Sequence, residues 1–375
     1  MVIAIVCYPT YGGSGVVASE LGHALSIIGH EIHFITYKQP VRLDTLNQNI
    51  HFHEVFVPEY DLFHYQPYEL ALSSRLVDVV KANDIDVLHV HYAIPHAYAA
   101  YMTKKMLLDI GIQIPIVTTL HGTDITLVGS HPFYSPAVNF SINHSDRVTA
   151  VSESLKQDTL RLFDIKKNIN VIPNFIDTEK IKLKGKPCER SLLAEKEEKI
   201  LTHISNFRPL KRILDVISIF EGVQQKIKSK LMMVGEGPEK EKAIQYVNRN
   251  GLENQVLFLG NSNEIDKILC YSDLFLLPSE KESFGLSALE AMAHGVPVIS
   301  SDAGGIPEVN THGETGYLSQ VGDTDSMVLN ALLLLQNESQ HKRFKRQAQL
   351  KAEKFNLNII VDQYEKIYVD AIETI

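Results

Sequence analysis

A regular alternation of short β-rich runs with helical patterns is the feature that most constrains the fold of this 375-residue chain. Several of the β-rich runs are apolar throughout, as expected for strands that are buried on both faces of a sheet. Between them, apolar residues recur at helical spacing, as Leu72, Leu76 and Val79 do. This alternation predicts an α/β fold with parallel sheets and right-handed crossover connections.

The predicted strands fall into two series with a break between them. They cover residues 2–7, 31–36, 51–57, 86–91, 114–120 and 147–151 in the first series, and 200–205, 231–234, 256–259, 273–277 and 297–300 in the second. The main predicted helices cover residues 15–28, 69–81, 212–226 and 287–294. A chain of this length also exceeds what one hydrophobic core usually supports.

The break lies near residue 173, and the lysine-rich residues 180–199 that follow have little periodicity, which predicts an exposed connection. We therefore expect two Rossmann-like doubly wound domains, residues 1–173 and 174–357, that face each other across a cleft. The helical pattern at 358–375 could pack on either domain, including back onto the first. In such sheets ligands bind beyond the carboxyl ends of the strands, so the loops there carry the candidate chemistry.

Composition and charge argue against several classes of function. The formal net charge of −9 disfavours broad electrostatic binding to nucleic acid or anionic lipid. The sequence has no run of 18 apolar residues, so no membrane span is expected. Cys7, Cys188 and Cys270 are widely separated, which predicts neither a disulfide framework nor a metal cluster and favours a cytoplasmic setting. A homo-oligomer is left open.

Glu282 and Glu290 stand eight positions apart, the first on a predicted strand-to-helix loop and the second inside the helix. Unpaired N–H groups at the start of that helix favour an anion such as a phosphate. Carboxylates beside a phosphate site suit the hydroxyl groups of a nucleotide sugar. The pair also invites an acid–base interpretation like that of a glycosidase, which the cations and glycines of the other loops disfavour.

Two loops of the first domain supply further candidates. A glycine-rich loop with Gly13 and Ser14 lets the backbone approach a ligand closely, although a tight βα turn is the simpler interpretation. His121 follows a predicted strand and could donate to a hydroxyl or a phosphate. Thr123 or Asp124 could instead cap the helix that follows, and both interpretations can hold together.

In the second domain, Arg208 and Lys211 follow the first predicted strand. Cations at the start of a helix oppose its dipole, so they suit a bound diphosphate better than stability alone; a solvated basic turn is the alternative. Gly235 and the pair Gly304-Gly305 lie in loops that could approach a ligand or could be plain turns. We expect no metal site and no cofactor, with cations and amides stabilising a departing diphosphate.

Together these motifs resemble glycosyltransferase family 4, whose fold is called GT-B. The resemblance covers nearly the whole chain and is carried by Glu282 and Glu290, Ser205-Asn206-Phe207-Arg208 with Lys211, Gly235-Glu236-Gly237-Pro238, and Gly304-Gly305-Ile306-Pro307-Glu308. It implies retaining transfer of a sugar from a nucleotide donor, without a metal. The catalytic residues that it implies are His121, near the reacting carbon of the sugar, together with Arg208, Lys211 and Glu282.

The resemblance also implies the donor site. Glu290 would hold the ribose hydroxyls, while Glu282 and the backbone of Phe284, Gly285 and Leu286 would hold the sugar and the phosphate. Gly13, Asn206 and Gly235 would complete the donor-binding set.

A closer resemblance is to the members of this family that transfer N-acetylglucosamine from UDP-N-acetylglucosamine to the hydroxyl of L-malate, the first step of bacillithiol biosynthesis. It is carried by residues 7–18, 91–97, 118–126 and 145–152. The acceptor is a dianion, for which Arg147 could bind a carboxylate and Ser14, Tyr92 and Thr119 could donate hydrogen bonds. Arg147 could equally be a surface strand residue, and Tyr92 a packing aromatic.

Three alternatives stay open at the level of sequence. Another family 4 transferase would act on a polysaccharide or lipid acceptor. A UDP-N-acetylglucosamine epimerase can share the two-domain architecture and would turn over the donor with no acceptor. A sugar-nucleotide binding module would bind the donor without turnover.

Overall fold

The computed structural model describes residues 1–10, 12–40, 43–44, 46–59, 61, 64–183, 190 and 193–375. These residues form two compact units. Unit 1 comprises Met1–Asn174 and Leu357–Ile375, and unit 2 comprises Phe175–Asn356. Much of the connection predicted at residues 180–199, and Tyr11 of the glycine-rich loop, lie outside the described residues.

Unit 1 contains a seven-stranded parallel sheet. Its strands are β1 (Val2–Val6), β2 (Glu31–Thr36), β3 (Ile50–Glu54), β4 (Val87–His91), β5 (Ile116–Leu120), β6 (Arg147–Ala150) and β7 (Ile169–Val171). The helices between them are α1 (Gly13–Ile27), α2 (Tyr68–Asn83), α3 (Tyr98–Leu108), α4 (Ser135–His144) and α5 (Glu153–Leu162). The strand order is β3-β2-β1-β4-β5-β6-β7, so the order reverses between β1 and β4.

Unit 2 contains a six-stranded parallel sheet in the order β10-β9-β8-β11-β12-β13. Its helices are α6 (Thr178–Leu183), α7 (Ile213–Gln224), α8 (Lys240–Arg249), α9 (Ile265–Tyr271), α10 (Leu286–Ala293), α11 (Ile306–Val309), α12 (Thr324–Gln336) and α13 (Glu338–Ala352). The strands are β8 (Lys199–Ile204), β9 (Ser229–Val234), β10 (Val256–Gly260), β11 (Leu274–Leu277), β12 (Val298–Ser301) and β13 (Gly316–Ser319). Here the strand order reverses between β8 and β11.

The last helix, α14 (Leu357–Ile372), belongs to unit 1. Tyr364 and Tyr368 are almost fully buried on it. The Tyr368 hydroxyl is 2.8 Å from Nδ1 of His89 on β4, and both rings pack against the His89 imidazole. The helix therefore covers one face of the unit 1 sheet.

The predicted α/β fold with two parallel sheets is confirmed. Each predicted strand corresponds to an observed one, with ends that differ by up to three residues. The pattern missed β7 and β13, which have only 3 and 4 residues and lie at sheet edges. Short edge strands carry too few alternating residues to stand out from a loop.

Composition predicted no membrane span and no disulfide framework. No helix in the described part of the chain is long and apolar enough to cross a membrane. The spacing of the cysteines predicted no disulfide framework and did not anticipate that Cys270 is disulfide-bonded, whereas Cys7 is a buried free thiol. Disulfide pairing depends on the distance between side chains in the fold, which wide spacing along the sequence does not reveal.

Candidate active site

In unit 1, side chains from the loops after β1 and β4 meet where the strand order reverses. Ser14, in the first turn of α1, follows β1, and Tyr92 follows β4. Their hydroxyl oxygens are 2.5 Å apart. Parallel strands place all such loops at one edge of the sheet, and doubly wound folds bind ligands at this reversal. Gly13 lies beside Ser14 at the exposed start of α1.

The backbone of Tyr92 is held in an unusual conformation. Its φ angle is +86°, a region that side chains with a Cβ atom rarely occupy. The Tyr92 N–H donates a hydrogen bond of 2.8 Å to the Thr119 carbonyl, which ties it to β5. The fold around the residue thus maintains a strained backbone that turns the phenol toward Ser14, and strain of this kind concentrates at functional sites.

His121 follows β5 and is joined to the same group. Its Nε2 lies 2.7 Å from Nδ1 of His91, and its ring centroid lies 5.0 Å from that of Tyr92. Burial lowers the pKa of His121 to about 3 and that of His91 well below its usual value. Both imidazoles are therefore neutral near pH 7, so His121 can act as a hydrogen-bond donor or acceptor without a charge.

Asp124 organises the backbone around His121. Its carboxylate accepts hydrogen bonds from the N–H groups of Ala93 (2.8 Å), His121 (3.2 Å) and Gly122 (2.9 Å), thereby joining the loops after β4 and β5. Burial raises its pKa to about 6, and the three N–H donors counteract part of that rise. The helix-capping role considered for Asp124 is not observed, because its carboxylate accepts from N–H groups that precede it in the chain. Its link to Ala93 could not be inferred from local sequence.

Two of the four predicted acceptor ligands are not brought to this group. Thr119 is fully buried, and its hydroxyl lies 2.8 Å from His89 Nε2 and 2.7 Å from the Thr149 hydroxyl. Arg147 begins β6, at the amino end of the strand, and donates 2.7 Å hydrogen bonds to the Asp370 carbonyl and the Thr374 hydroxyl near the chain's C-terminus. Arg147 does lie at the end of a strand, as the sequence predicted, but it is the amino end. Ser14 and Tyr92 instead follow the carboxyl ends of their strands.

In unit 2, the loops after β8 and β11 meet at the corresponding reversal of strand order. The Lys211 ammonium donates a short hydrogen bond to the Glu282 carboxylate. Both side chains are largely buried, with 14% and 15% of their surfaces exposed. The Glu280 N–H also donates to the Leu210 carbonyl at 2.8 Å, so the two loops are joined by backbone as well as by side chains.

Glycines let the neighbouring loops of unit 2 pack backbone against backbone. A Cβ atom on Gly235, in the loop after β9, would lie 1.8 Å from the Ser205 carbonyl oxygen. A Cβ on Gly304, in the loop after β12, would lie 2.0 Å from the Glu282 carbonyl oxygen. The Gly305 N–H donates to that same oxygen at 2.9 Å. Only glycine fits these two positions, so the loops after four strands form one packed layer.

The remaining predicted donor residues surround this layer. Asn206 and Arg208 are exposed in the loop after β8, whereas Phe284 is buried against Phe355. Gly285 precedes α10 with φ +97° and offers no side-chain cap, and the N–H groups of a helix's first turn, here from Leu286 onward, favour an anion. Glu290 lies half-buried on the same helix.

Sequence reasoning missed His91, the fully buried partner of His121. It lies directly before Tyr92, in a segment that the closer resemblance already included. Alternating histidines along β4, at positions 89 and 91, were the available signal, since alternate residues of a strand share a face.

Two family models match this chain. The model described as Glycosyltransferase Family 4 matches residues 11–180. The model described as Glycosyl transferases group 1 matches residues 188–351. Together they include the loops of both candidate sites.

Individual relatives match from about two thirds to nearly all of the chain. The N-acetyl-alpha-D-glucosaminyl L-malate synthase of Bacillus anthracis is 48% identical over 373 residues, which is 99% of this chain and 97% of that protein. The 2-deoxystreptamine N-acetyl-D-glucosaminyltransferase of Niallia circulans is 26% identical over 69% of each chain. HepE of Anabaena in complex with UDP-glucose matches the whole of both chains with a TM-score of 0.80 at 20% identity. Structural neighbours of this kind are GT-B glycosyltransferases, and the fold here is the same.

Proposed function

The chain belongs to glycosyltransferase family 4, and from that premise we propose that it transfers N-acetylglucosamine from UDP-N-acetylglucosamine to the hydroxyl of L-malate. The observation that carries this proposal is the identity of 48%, over 99% of the chain, to the Bacillus anthracis malate synthase. The reaction would open bacillithiol biosynthesis. The geometry of the two candidate sites supports assigning the acceptor to unit 1 and the donor to unit 2.

We assign the acceptor to unit 1. The Ser14 and Tyr92 hydroxyls can donate to a malate carboxylate, since the pair carries two O–H groups and their shared hydrogen bond uses one of them. The amino end of α1 adds positive potential, because Gly12 provides no side-chain cap there. Thr119 and Arg147 then serve the site indirectly, by holding β5 and β6 in place.

We assign the donor to unit 2. Arg208 and Lys211 are the cations that we assign to the diphosphate, and the first turn of α10 would supply N–H groups to it. Glu282 and Glu290 supply carboxylates for the hydroxyls of the sugar and of the ribose. The Lys211–Glu282 contact keeps both side chains in place before the donor arrives.

In the proposed chemistry, the malate hydroxyl attacks the anomeric carbon on the face from which UDP departs, so configuration is retained. The new bond joins the malate oxygen to that carbon, the bond to the phosphate oxygen breaks, and this oxygen takes the malate proton. Preorganised cations and N–H groups then stabilise the departing diphosphate without a metal. Neutral His121 contacts the transferred sugar near the reacting carbon.

The test is to incubate the metal-stripped protein with UDP-N-acetylglucosamine and a panel of hydroxy acids, and to measure UDP release and product mass. We expect a product only with L-malate, of mass equal to N-acetylglucosamine plus malate less water. Turnover with a different acceptor alone would overturn the malate assignment but keep the transferase. Donor turnover with no acceptor would favour the epimerase instead.

A further inference from the structure

Four polar side chains gather at the edge of the unit 1 sheet. Glu31 and His33 alternate along β2, and His51 and His53 alternate along the edge strand β3. The register pairs His33 with His51. Because alternate residues of a strand share a face, all four side chains project from one side. This edge cluster lies toward the amino ends of its strands, whereas the candidate acceptor site follows the carboxyl ends of β1 and β4.

The spacing of three of these side chains approaches that of metal ligands. Glu31 Oε1 lies 3.2 Å from His33 Nε2 and 3.1 Å from His51 Nε2. One ligand atom from each residue lies within 4.8 Å of the other two. Donor atoms bound about 2.1 Å from a tetrahedral Zn²⁺ stand roughly 3.4 Å apart. Two of the three separations therefore need to change only slightly to hold such an ion.

His53 can orient the central histidine. His33 Nδ1 lies 2.8 Å from His53 Nε2, and the two rings are nearly parallel. When His33 donates from Nδ1 to His53, its Nε2 lone pair faces Glu31 and His51. A metal-bound histidine usually donates its other ring N–H to an acceptor, which fixes the orientation of the ring.

The exposure of the edge cluster and the charges near it also affect whether it can bind a metal ion. Glu31 and His51 have 47% and 41% of their side-chain surfaces exposed, so an ion can reach them from solvent. Arg75 lies close enough to His53 for its charge to act there, and it opposes a bound cation. The Arg75 charge acts on His53, which is not a ligand, while the Glu31 carboxylate supplies a compensating negative charge among the ligands.

We propose that Glu31, His33 and His51 bind a divalent transition-metal ion, best matched by Zn²⁺, with water in the remaining position and His53 orienting His33. Imidazole and carboxylate together suit zinc. The ion would connect the edge strand β3 to β2. It would therefore stabilise the sheet and take no part in sugar transfer.

The experiment titrates metal-stripped, full-length protein with ZnCl₂ by calorimetry. We expect one Zn²⁺ per chain and a higher melting temperature in its presence. The exposed positions allow the variants Glu31→Gln and His51→Ala without disturbing the core, and each should weaken binding at least tenfold. His53→Ala should weaken it by the roughly 10–100-fold typical of losing an outer partner. The matched control, His144→Ala, changes another exposed histidine of unit 1 and should bind normally.

The absence of binding, or equal binding by the wild type, Glu31→Gln and His51→Ala, would overturn the site. Transferase activity provides a separate readout, since it should be the same with and without Zn²⁺. Activity that required Zn²⁺ and disappeared in His51→Ala would overturn the purely stabilising role. The metal titration does not depend on the proposed substrates, so its failure would leave the transferase proposal unaffected.

Discussion

The hydroxyl oxygens of Ser14 and Tyr92 lie 2.5 Å apart and share a hydrogen bond across the reversal of strand order in unit 1. Lys211 and Glu282 form the corresponding contact in unit 2, between the loops after β8 and β11. In each unit, therefore, a side-chain contact joins the segments that follow the two strands at the reversal of strand order. Doubly wound sheets bind their ligands at this point.

Tyr92→Phe should raise the KM for malate while leaving the KM for the donor unchanged. The variant removes one hydroxyl and keeps the ring that packs near His121. Loss of a hydrogen bond to a charged group costs about 1.5–3 kcal/mol, which is roughly a 10- to 150-fold fall in kcat/KM for malate. Steady-state kinetics with each substrate varied in turn measures it. Tyr98→Phe, on an exposed part of α3, is the control, and equal effects of the two variants would contradict the assignment.

Lys211→Ala should lower kcat by about 10²–10³, because removing one preorganised donor from a developing anion costs about 2.7–4 kcal/mol. It also leaves the Glu282 carboxylate without its ammonium partner. Turnover at saturating substrates measures the effect, with thermal melting to verify folding. Lys242→Ala, which disrupts a more exposed ion pair with Glu239, should remain within about twofold of wild type. A normal kcat for Lys211→Ala would remove this residue from the site.

Gly304→Ala should impair both stability and donor binding. The added Cβ would lie 2.0 Å from the Glu282 carbonyl oxygen, and the residue's φ is +56°. The loop that carries Glu282 must then move. Gly251→Ala is matched, because its φ is +66° but no atom lies within 4 Å of the new Cβ. It should cost only the backbone strain of about 1–2 kcal/mol. Calorimetric titration with UDP should show weaker binding for Gly304→Ala alone.

Arg147→Ala should reduce stability and leave the KM for malate unchanged. Its two hydrogen bonds go to the C-terminal residues Asp370 and Thr374, and each is worth about 0.5–1.5 kcal/mol. Urea unfolding and malate kinetics on the same preparation separate the two effects. Arg161→Ala, at a more exposed ion pair, should change neither. A large rise in the KM for malate would restore Arg147 to the acceptor site.

The stability of unit 1 should fall as the pH falls below 6.5. Burial lowers the pKa of His89 and of His121 to about 3, and that of His96 to about 4, from 6.5. Between pH 6.5 and 4 the unfolded chain therefore binds more protons than the native state, and each such histidine lowers the free energy of unfolding by about 1.4 kcal/mol per pH unit. Asp124, with its pKa raised to about 6, acts in the opposite direction with a single proton.

Urea unfolding at several pH values measures this slope. His89→Gln should reduce the slope by about one proton, that is by about 1.4 kcal/mol per pH unit. His144→Gln, at an exposed position, should leave it unchanged. A stability that is constant from pH 7 to pH 5 would contradict the neutral state of these imidazoles.

Much of the candidate donor site could be located from the sequence because its elements are local. Glycines at 235 and 304, a basic loop after β8 and a glutamate before α10 all lie in short segments between strand and helix, and the strand pattern places those segments at one sheet edge. The acceptor prediction was less complete. Ser14 and Tyr92 do meet. Arg147 was grouped with them because the amino and carboxyl ends of a strand look alike in sequence.

The sequence by itself determined the α/β class, eleven of the thirteen described strands, and the loops that carry the candidate chemistry, because hydrophobic period and turn residues are properties of neighbouring positions. Only the tertiary structure decided that α14 covers Thr119, that His91 supports His121, and that Glu31 meets His51. Each of these contacts joins residues distant in sequence, and their distances depend on the register and packing of whole elements.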